Sequence, residues 1–470
     1  MEEGIMKKIL FFSVVALMTV AVVSCRQYES MGTNVPGVGP QSFTCFTDVI
    51  TRATIGGDAM NEILWENGDQ ISFYQSADNS KGAVYSTTLS SPSRQADFTG
   101  SGAEAFNGRF IAFYPASQVE SWGAGSEGAA RKVQFTIPTE QHPVVNNISK
   151  DYCPMIASAA SETDPLGFSH LAGYLSFTVP SGISIKEVII ESGDGSWLSG
   201  KITLPLNDLT AEPEASETDS KVIFKNADDS PLSEGTYYVA VRPRTWTGGI
   251  KLAFKDATGG IAFVKYTATE PVIGKGTVQR LGTVKNLNFV HVGDIYKEGD
   301  ANKGIVIGVG ENYYTVMSLI TKKMAWATAD FTPLAFPAFD KLDGEGNTAK
   351  IMEAINKDPA DGFTLATFPP VEYCKALGDD WYLPAVTELI NYFTALNLAN
   401  TDALNAFNDL IDAAGGNKFT AANKILVWSS YQTASNKCQH IKYSSGNFVG
   451  ANAGYTKADV HVRAFLKVYL

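Results

Sequence analysis

Few residues of this chain are of a type and at a spacing that could do chemistry. His142, His170, His291, His440 and His461 stand apart, with no His-x-His or His-Glu-x-x-His spacing to put two imidazoles on one metal. The five cysteines, Cys25, Cys45, Cys153, Cys374 and Cys438, are scattered, so neither a zinc ribbon nor a dithiol redox pair is expected. Cys374 and Cys438 keep two readings, a disulfide in an exported domain or two half-buried thiols. Asp340, Asp343, Glu345 and Asn347, around Gly344 and Gly346, offer oxygen ligands for calcium. They lack the glycine at the sixth loop position and the closing bidentate glutamate of a calcium loop, so a solvated turn is expected. Glu212, Glu214, Glu217 and Asp219 likewise read as an exposed loop. Neither a nucleophile elbow nor a phosphate loop is present. The sequence therefore points to no catalytic residue, no metal and no cofactor, and the chain is read as not an enzyme.

Two sets of residues keep a chemical expectation. Lys7 and Lys8 precede an apolar run from Ile9 to Val23, then Ser24 and Cys25. A basic start, an apolar segment short for a membrane span and a small residue before the cut describe a cleaved export signal. The arrangement is similar to the lipobox of bacterial lipoproteins, which makes Cys25 the lipidated first residue of the mature chain, with several acyl chains for stable anchoring. The second set lies between Lys437 and Lys457, where Tyr443, Asn447, Phe448, Asn452 and Tyr455 offer ring faces for stacking and amides for hydrogen bonds. Ser444-Ser445-Gly446-Asn447 is also good turn chemistry, so an ordinary solvated hairpin is the competing reading.

The elements that must position these residues follow from patterning. With 470 residues, several domains are expected. A net charge of -12 excludes nucleic acid as the main partner and leaves the lipid anchor as the only route to a membrane. Residues 25–44, with Gly32, Pro36, Gly37, Gly39 and Pro40, read as a tether. From there to Val290, short β-type runs alternate with turn residues. The clearest are Ile71–Tyr74, Arg109–Tyr114, Lys132–Ile137, Tyr174–Val179, Glu187–Ile190, Lys201–Leu204, Lys221–Phe224, Thr236–Val241, Ile250–Phe254 and Ile261–Tyr266. Such spacing predicts two sandwiches in tandem, 45–165 and 166–290. After Val290 the spacing predicts a hairpin, Gly304–Val309 with Tyr313–Ser318, and helices near Ala349–Ile355, Pro369–Leu377, from Pro384, and Ala403–Ala413. Strands close the chain, the last a single alternating run from Asp459 to Tyr469. Residues 291–470 are thus expected to form an α+β domain, and residues 1–24 the signal.

Several patterns in order carry a resemblance: Ile50-Thr51-Arg52-Ala53-Thr54, Trp65-Glu66-Asn67-Gly68-Asp69-Gln70-Ile71, Phe113-Tyr114-Pro115, Pro138-Thr139-Glu140-Gln141, Pro154-Met155-Ile156-Ala157 and Phe168-Ser169-His170-Leu171-Ala172. Together they resemble the fimbrillin family of Bacteroidetes surface lipoproteins, pilus subunits and their accessory proteins. The resemblance implies two transthyretin-like β-sandwich domains. In pilus-forming members it also implies maturation by a cut between Arg52 and Ala53, opening a groove that another subunit's strand fills; the competing reading of Arg52 is an exposed strand arginine, as in relatives that do not polymerise. Further on, Tyr373-Cys374-Lys375-Ala376-Leu377-Gly378, Trp381-Tyr382-Leu383-Pro384-Ala385, Glu388-Leu389, Val427-Trp428-Ser429-Ser430 and Val462-Arg463-Ala464 resemble C-type-lectin-like modules of Bacteroidetes surface proteins. Trp381 and Trp428 are expected in its core. The Glu-Pro-Asn, Gln-Pro-Asp and Trp-Asn-Asp triplets of calcium-dependent sugar binders are missing, so no calcium-bridged sugar site is implied.

The fold expected is mainly β followed by α+β. The function implied is adhesion at the outer membrane surface by a tip or accessory pilus subunit. Its partners would be other subunits, through strand complementation, and a host or bacterial surface glycan or protein. The alternative is a solitary surface lipoprotein binding glycans for polysaccharide uptake.

Overall fold

The computed structural model describes residues 41–47, 64–76, 80–123, 131–211, 213–266, 271–328, 339–357, 363–421, 424–433 and 437–469. Cys25, Arg52 and Ala53, and with them the expected signal, lipidation and cleavage, lie outside the described residues. The fold is mainly β, and the four α-helices among the described residues all fall in the C-terminal third.

Strand β1 (Gln41–Thr47) alternates so that Phe43 and Cys45 point inward and are fully buried. Residues 41–44, expected in the tether, therefore belong to the fold; a pattern this short is masked by the glycines and prolines before it. β1 runs antiparallel to Gln95–Gly100 and parallel to Leu166–His170. From Leu166–His170 the pairing continues through Met155–Ala159, Arg109–Tyr114, Gln70–Phe73 and Ala83–Thr87 back to Gln95–Gly100, so the sheet closes on itself. Trp65 fills its centre, edge-on to Phe98, Tyr114 and Phe168 at 5.0, 5.0 and 5.4 Å, with its indole N–H donated to the Cys45 carbonyl at 3.2 Å.

The middle of the chain stacks two sheets. Gly173–Val179 lies between Gly235–Val241 and Val278–Thr283, and faces a sheet containing Ile185–Ser192, Ile250–Asp256, Lys221–Lys225 and Ile261–Tyr266. Phe177, Phe224, Tyr237 and Phe254 fill the space between. Lys132–Ile137 pairs with Ser199–Pro205, and the buried Gln141 side chain holds both backbone groups of Ala240 at 2.8 and 2.9 Å. The two bodies are thus stitched by segments on either side of residue 165. Of the acidic run read as an exposed loop, Glu212 lies outside the described residues, and Glu214–Asp219 is a strand paired with Ser199–Pro205; pairing with a structured neighbour overrides its acidic composition.

The C-terminal module packs helices α1 (Gly344–Lys357), α2 (Pro369–Leu377), α3 (Val386–Ala395) and α4 (Thr401–Ala413) with two sheets. α2 starts on two prolines and stops before Gly378, and α3 buries Val386, Leu389 and Phe393 on one face. Asn400 caps α4, its side chain accepting from the amides of Asp402 and Ala403 at 2.9 and 3.1 Å. Trp381 and Trp428 are buried, as their aromatic bulk predicts. The expected single strand from Asp459 to Tyr469 is two, Val460–Val462 and Phe465–Tyr469, in different sheets. The break is held by Arg463, whose guanidinium is turned into the protein among backbone carbonyls.

Candidate functional site

β1 is the element whose position has the clearest functional meaning. Six residue pairs join it to Gln95–Gly100 and three to Leu166–His170. The Phe43 ring packs against Phe73, Phe110 and Tyr85, with centroids at 4.3, 5.2 and 5.8 Å. Withdrawing β1 leaves two bare strand edges and a slot walled by those rings, both costly in water until a second strand replaces them.

The expected ligand-binding set in the last hairpin, Lys437–Ser444 with Asn447–Gly454, is not brought to one surface. Phe448 is buried against Phe393 of α3 at 5.5 Å, and Tyr455 is buried and stacked on Trp326 at 5.3 Å. Neither ring is open to a sugar, because the hairpin is covered on one face by α3 and its exit strap folds into the core. Asn447 and Asn452 are exposed and Tyr443 half-buried, its ring edge-on to Phe448 at 5.9 Å. The Asn452 side chain accepts from Gln439 at 3.1 Å.

One arrangement that the sequence spacing conceals is a contact of Cys153, His170 and Tyr174. His170 Nδ1 lies 3.4 Å from Cys153 Sγ and 3.2 Å from the Tyr174 hydroxyl, which donates to Cys153 Sγ at 3.2 Å. A thiol beside an imidazole has the geometry of an activated nucleophile, but activation requires a lowered thiol pKa. Here burial pushes the Cys153 thiol up to about 12, against the opposing hydrogen bond from Tyr174. The contact is a packed polar knot. Cys45, Cys374 and Cys438 are also buried free thiols, which settles the pairing of Cys374 and Cys438 as none. His142 lies with Nδ1 3.0 Å from the Lys225 carbonyl and His291 with Nε2 2.8 Å from Asp256. Among the described residues no cluster of histidine, cysteine and carboxylate side chains could hold a metal.

The acidic group expected to be a solvated turn is instead the start of α1. Asp343 accepts from the Gly346 amide at 2.8 Å. Asn347 is fully buried, bridging both backbone groups of Asp340 and the Ser430 hydroxyl. Glu388 lies beneath, accepting from the amides of Gly344 and Ala385 at 3.0 and 2.8 Å and from Tyr382 at 3.2 Å, with Lys467 at 3.4 Å. Burial raises the Glu388 pKa against these partners. A side chain at Gly344 would put its Cβ 2.5 Å from the Ala385 amide, so glycine is required where α1 and α3 start together. Asp343 and Glu388 thus accept from helix-start amides, while Glu345 accepts from the Tyr469 hydroxyl at 3.0 Å.

No family model matches the chain, and no curated protein is similar enough to count as a relative. Among solved structures, the chain is similar to a fimbrial protein from Bacteroides ovatus at 13% identity, covering 92% of this chain and 100% of that one, with a TM-score of 0.32. It is similar also to a fimbrial assembly protein from Parabacteroides distasonis at 9% identity, covering 52% of this chain and 90% of that one, with a TM-score of 0.26. A tip fimbrial protein from Porphyromonas gingivalis, with a C-terminal truncation, matches at 8% identity over 49% of this chain and 82% of that one, with a TM-score of 0.21. Likeness at these scores carries no role across to this chain.

Proposed function

We propose that the chain is a lipid-anchored surface protein of the fimbrillin type. Two transthyretin-like β-sandwich bodies would carry a C-type-lectin-like module, and the protein would act in adhesion as a tip or accessory subunit of a pilus. The observation that carries this reading is the place of β1: an early strand, flanked on both sides by pairing partners, with two fully buried side chains and Arg52 shortly after its end. A cut after Arg52 would detach β1 covalently from the body that it completes. The slot is then ready for a strand from another pilus subunit, which supplies the same backbone bonds and apolar contacts. Cys25 would hold the uncut chain at the outer membrane, and the C-terminal module would meet a surface glycan or protein.

The test is the N-terminal residue and physical state of the protein in material sheared from cells, read by mass spectrometry after size separation. A chain beginning at Ala53 and travelling with filaments is the expected outcome. A lipidated chain beginning at Cys25, absent from filaments in cells that make pili, overturns it in favour of a solitary surface glycan-binding lipoprotein.

A further inference from the structure

The C-terminal module holds a buried cation that has no counterion among the described residues. Arg463 is 1% exposed. Its Nη1 donates to the carbonyls of Ser318 and Leu319 at 2.8 and 2.6 Å, and its Nη2 to the carbonyl of Asn417. All three acceptors are neutral. Its Nε is buried and has no hydrogen-bond partner among the described residues. The Phe419 ring covers the guanidinium at 4.8 Å, and burial lowers its pKa to about 10, the direction of a cation short of compensation.

Beside it is a cavity of about 40 Å³, walled by Thr321, Lys418, Thr420, Lys424, His461 and Arg463, with apolar residues behind and no carboxylate in its lining. Lys418 is shared with Asp412 at 2.9 Å, while Lys424 has no ion pair among the described residues. His461 is held toward its neutral form by burial and by Lys323 and Arg463, so it does not supply the missing negative charge. We infer that this cavity receives the carboxylate of an acidic sugar, with Arg463 at its floor and Lys424 at its mouth. The space, about 40 Å³, has room for a small planar anion such as a carboxylate. An anion here compensates a charge that is otherwise buried alone among the described residues, and the hydroxyl of the exposed Thr420 in the lining suits a hydroxylated ligand, while that of Thr321 is already donated to the Val462 carbonyl at 2.7 Å.

This deepens the adhesion reading, from which it takes only that the module meets a surface ligand. The test is calorimetric titration and thermal melting of the full chain with sodium glucuronate, sodium acetate, glucose and sodium chloride at matched ionic strength. Glucuronate is expected to bind saturably, acetate more weakly, and glucose and chloride not at all. Lys424→Gln should weaken glucuronate about tenfold, the loss of one charge-assisted hydrogen bond, with melting of the unliganded protein unchanged. Arg463→Gln should abolish binding; if it does not fold, Lys424→Gln decides. No saturable response, a response matched by chloride, or unchanged affinity in Lys424→Gln overturns the site, and acetate binding as tightly as glucuronate overturns the sugar as its source. Glucuronate binding by a chain that never joins filaments keeps the site and removes the pilus reading; the reverse pair of results removes the site alone.

Discussion

Phe263 of the middle sheet and Tyr314 of the C-terminal module lie nearly parallel, ring centroids 6.1 Å apart and planes inclined by 10°. Around them Ile189, Ala253 and Ile261 are buried with Val309 packed against them, Asn312 donates to Glu191 at 2.8 Å, and Glu311 pairs with Lys221. Nearby, His291 reaches Asp256 and Thr258 at 2.8 and 2.9 Å. The hairpin turn of the module is therefore docked on the outer face of a sheet that belongs to the body before it, by apolar, polar and charged contacts together. Such a joint transmits orientation, in contrast to a free linker.

Loosening this joint should split the melting of the chain. Tyr314→Ala combined with Asn312→Ala removes a half-buried ring and a cross-boundary hydrogen bond, a loss of about 2–4 kcal/mol. Differential scanning calorimetry should then resolve the module from the middle body. A variant that melts with the same profile as the parent would show that the contact does no coupling.

β1 should be a large contributor to the first body. Phe43→Ala empties a site between three aromatic rings and is expected to destabilise by about 3–5 kcal/mol, measured by urea denaturation. Phe43→Leu should cost distinctly less. Equal, small effects from both would mean that the ring does not anchor the strand.

Cys153 should be chemically silent. With its thiol raised to about 12 and fully enclosed, it is expected not to react with an alkylating reagent in the native protein and to react promptly in urea. Labelling of Cys153 in the folded state within minutes, read by peptide mapping, would contradict the packed-knot assignment and reopen a catalytic one.

Acid should weaken the C-terminal module. His440 is buried edge-on to Trp428 at 5.6 Å, and burial, with Lys457 and Lys442 nearby, lowers its pKa to about 4. A histidine with a depressed folded pKa contributes stability that is complete above its unfolded pKa near 6.5 and is lost as pH falls toward 4. His461 shifts in the same direction. Melting temperature should therefore fall between pH 7 and pH 4.5, and His440→Phe should shallow that dependence. An unchanged slope in the variant would assign the acid sensitivity elsewhere.

Much of the architecture was legible because alternation is a direct consequence of one buried sheet face. Arg109–Tyr114, Lys132–Ile137 and Ile261–Tyr266 fall where their patterns place them, and the prolines before α2 and Gly378 after it mark that helix. What escaped is what depends on partners far away. Phe448 and Tyr455 look like loop aromatics until α3 and Trp326 cover them. The Cys153–His170 contact joins the connection before Met155–Ala159 to the end of Leu166–His170 and has no spacing signature. Arg463 hides inside an alternating run that reads as one strand, although turning its guanidinium inward is what breaks that run. Asp343 and Asn347 read as solvated because capping and metal binding use the same side-chain oxygens.

The parallel pairing of β1 with Leu166–His170 also sets an order of events for a chain delivered from its N-terminus. Cys45 cannot meet Leu166 until everything between them has been delivered, so the first body remains an open curl with an unfilled edge during most of its own synthesis. The strand made earliest is the one locked last. Throughout that interval any extended segment able to lie along Leu166–His170 competes with β1 for its place, and capture by a neighbour becomes a contest of timing as much as of affinity.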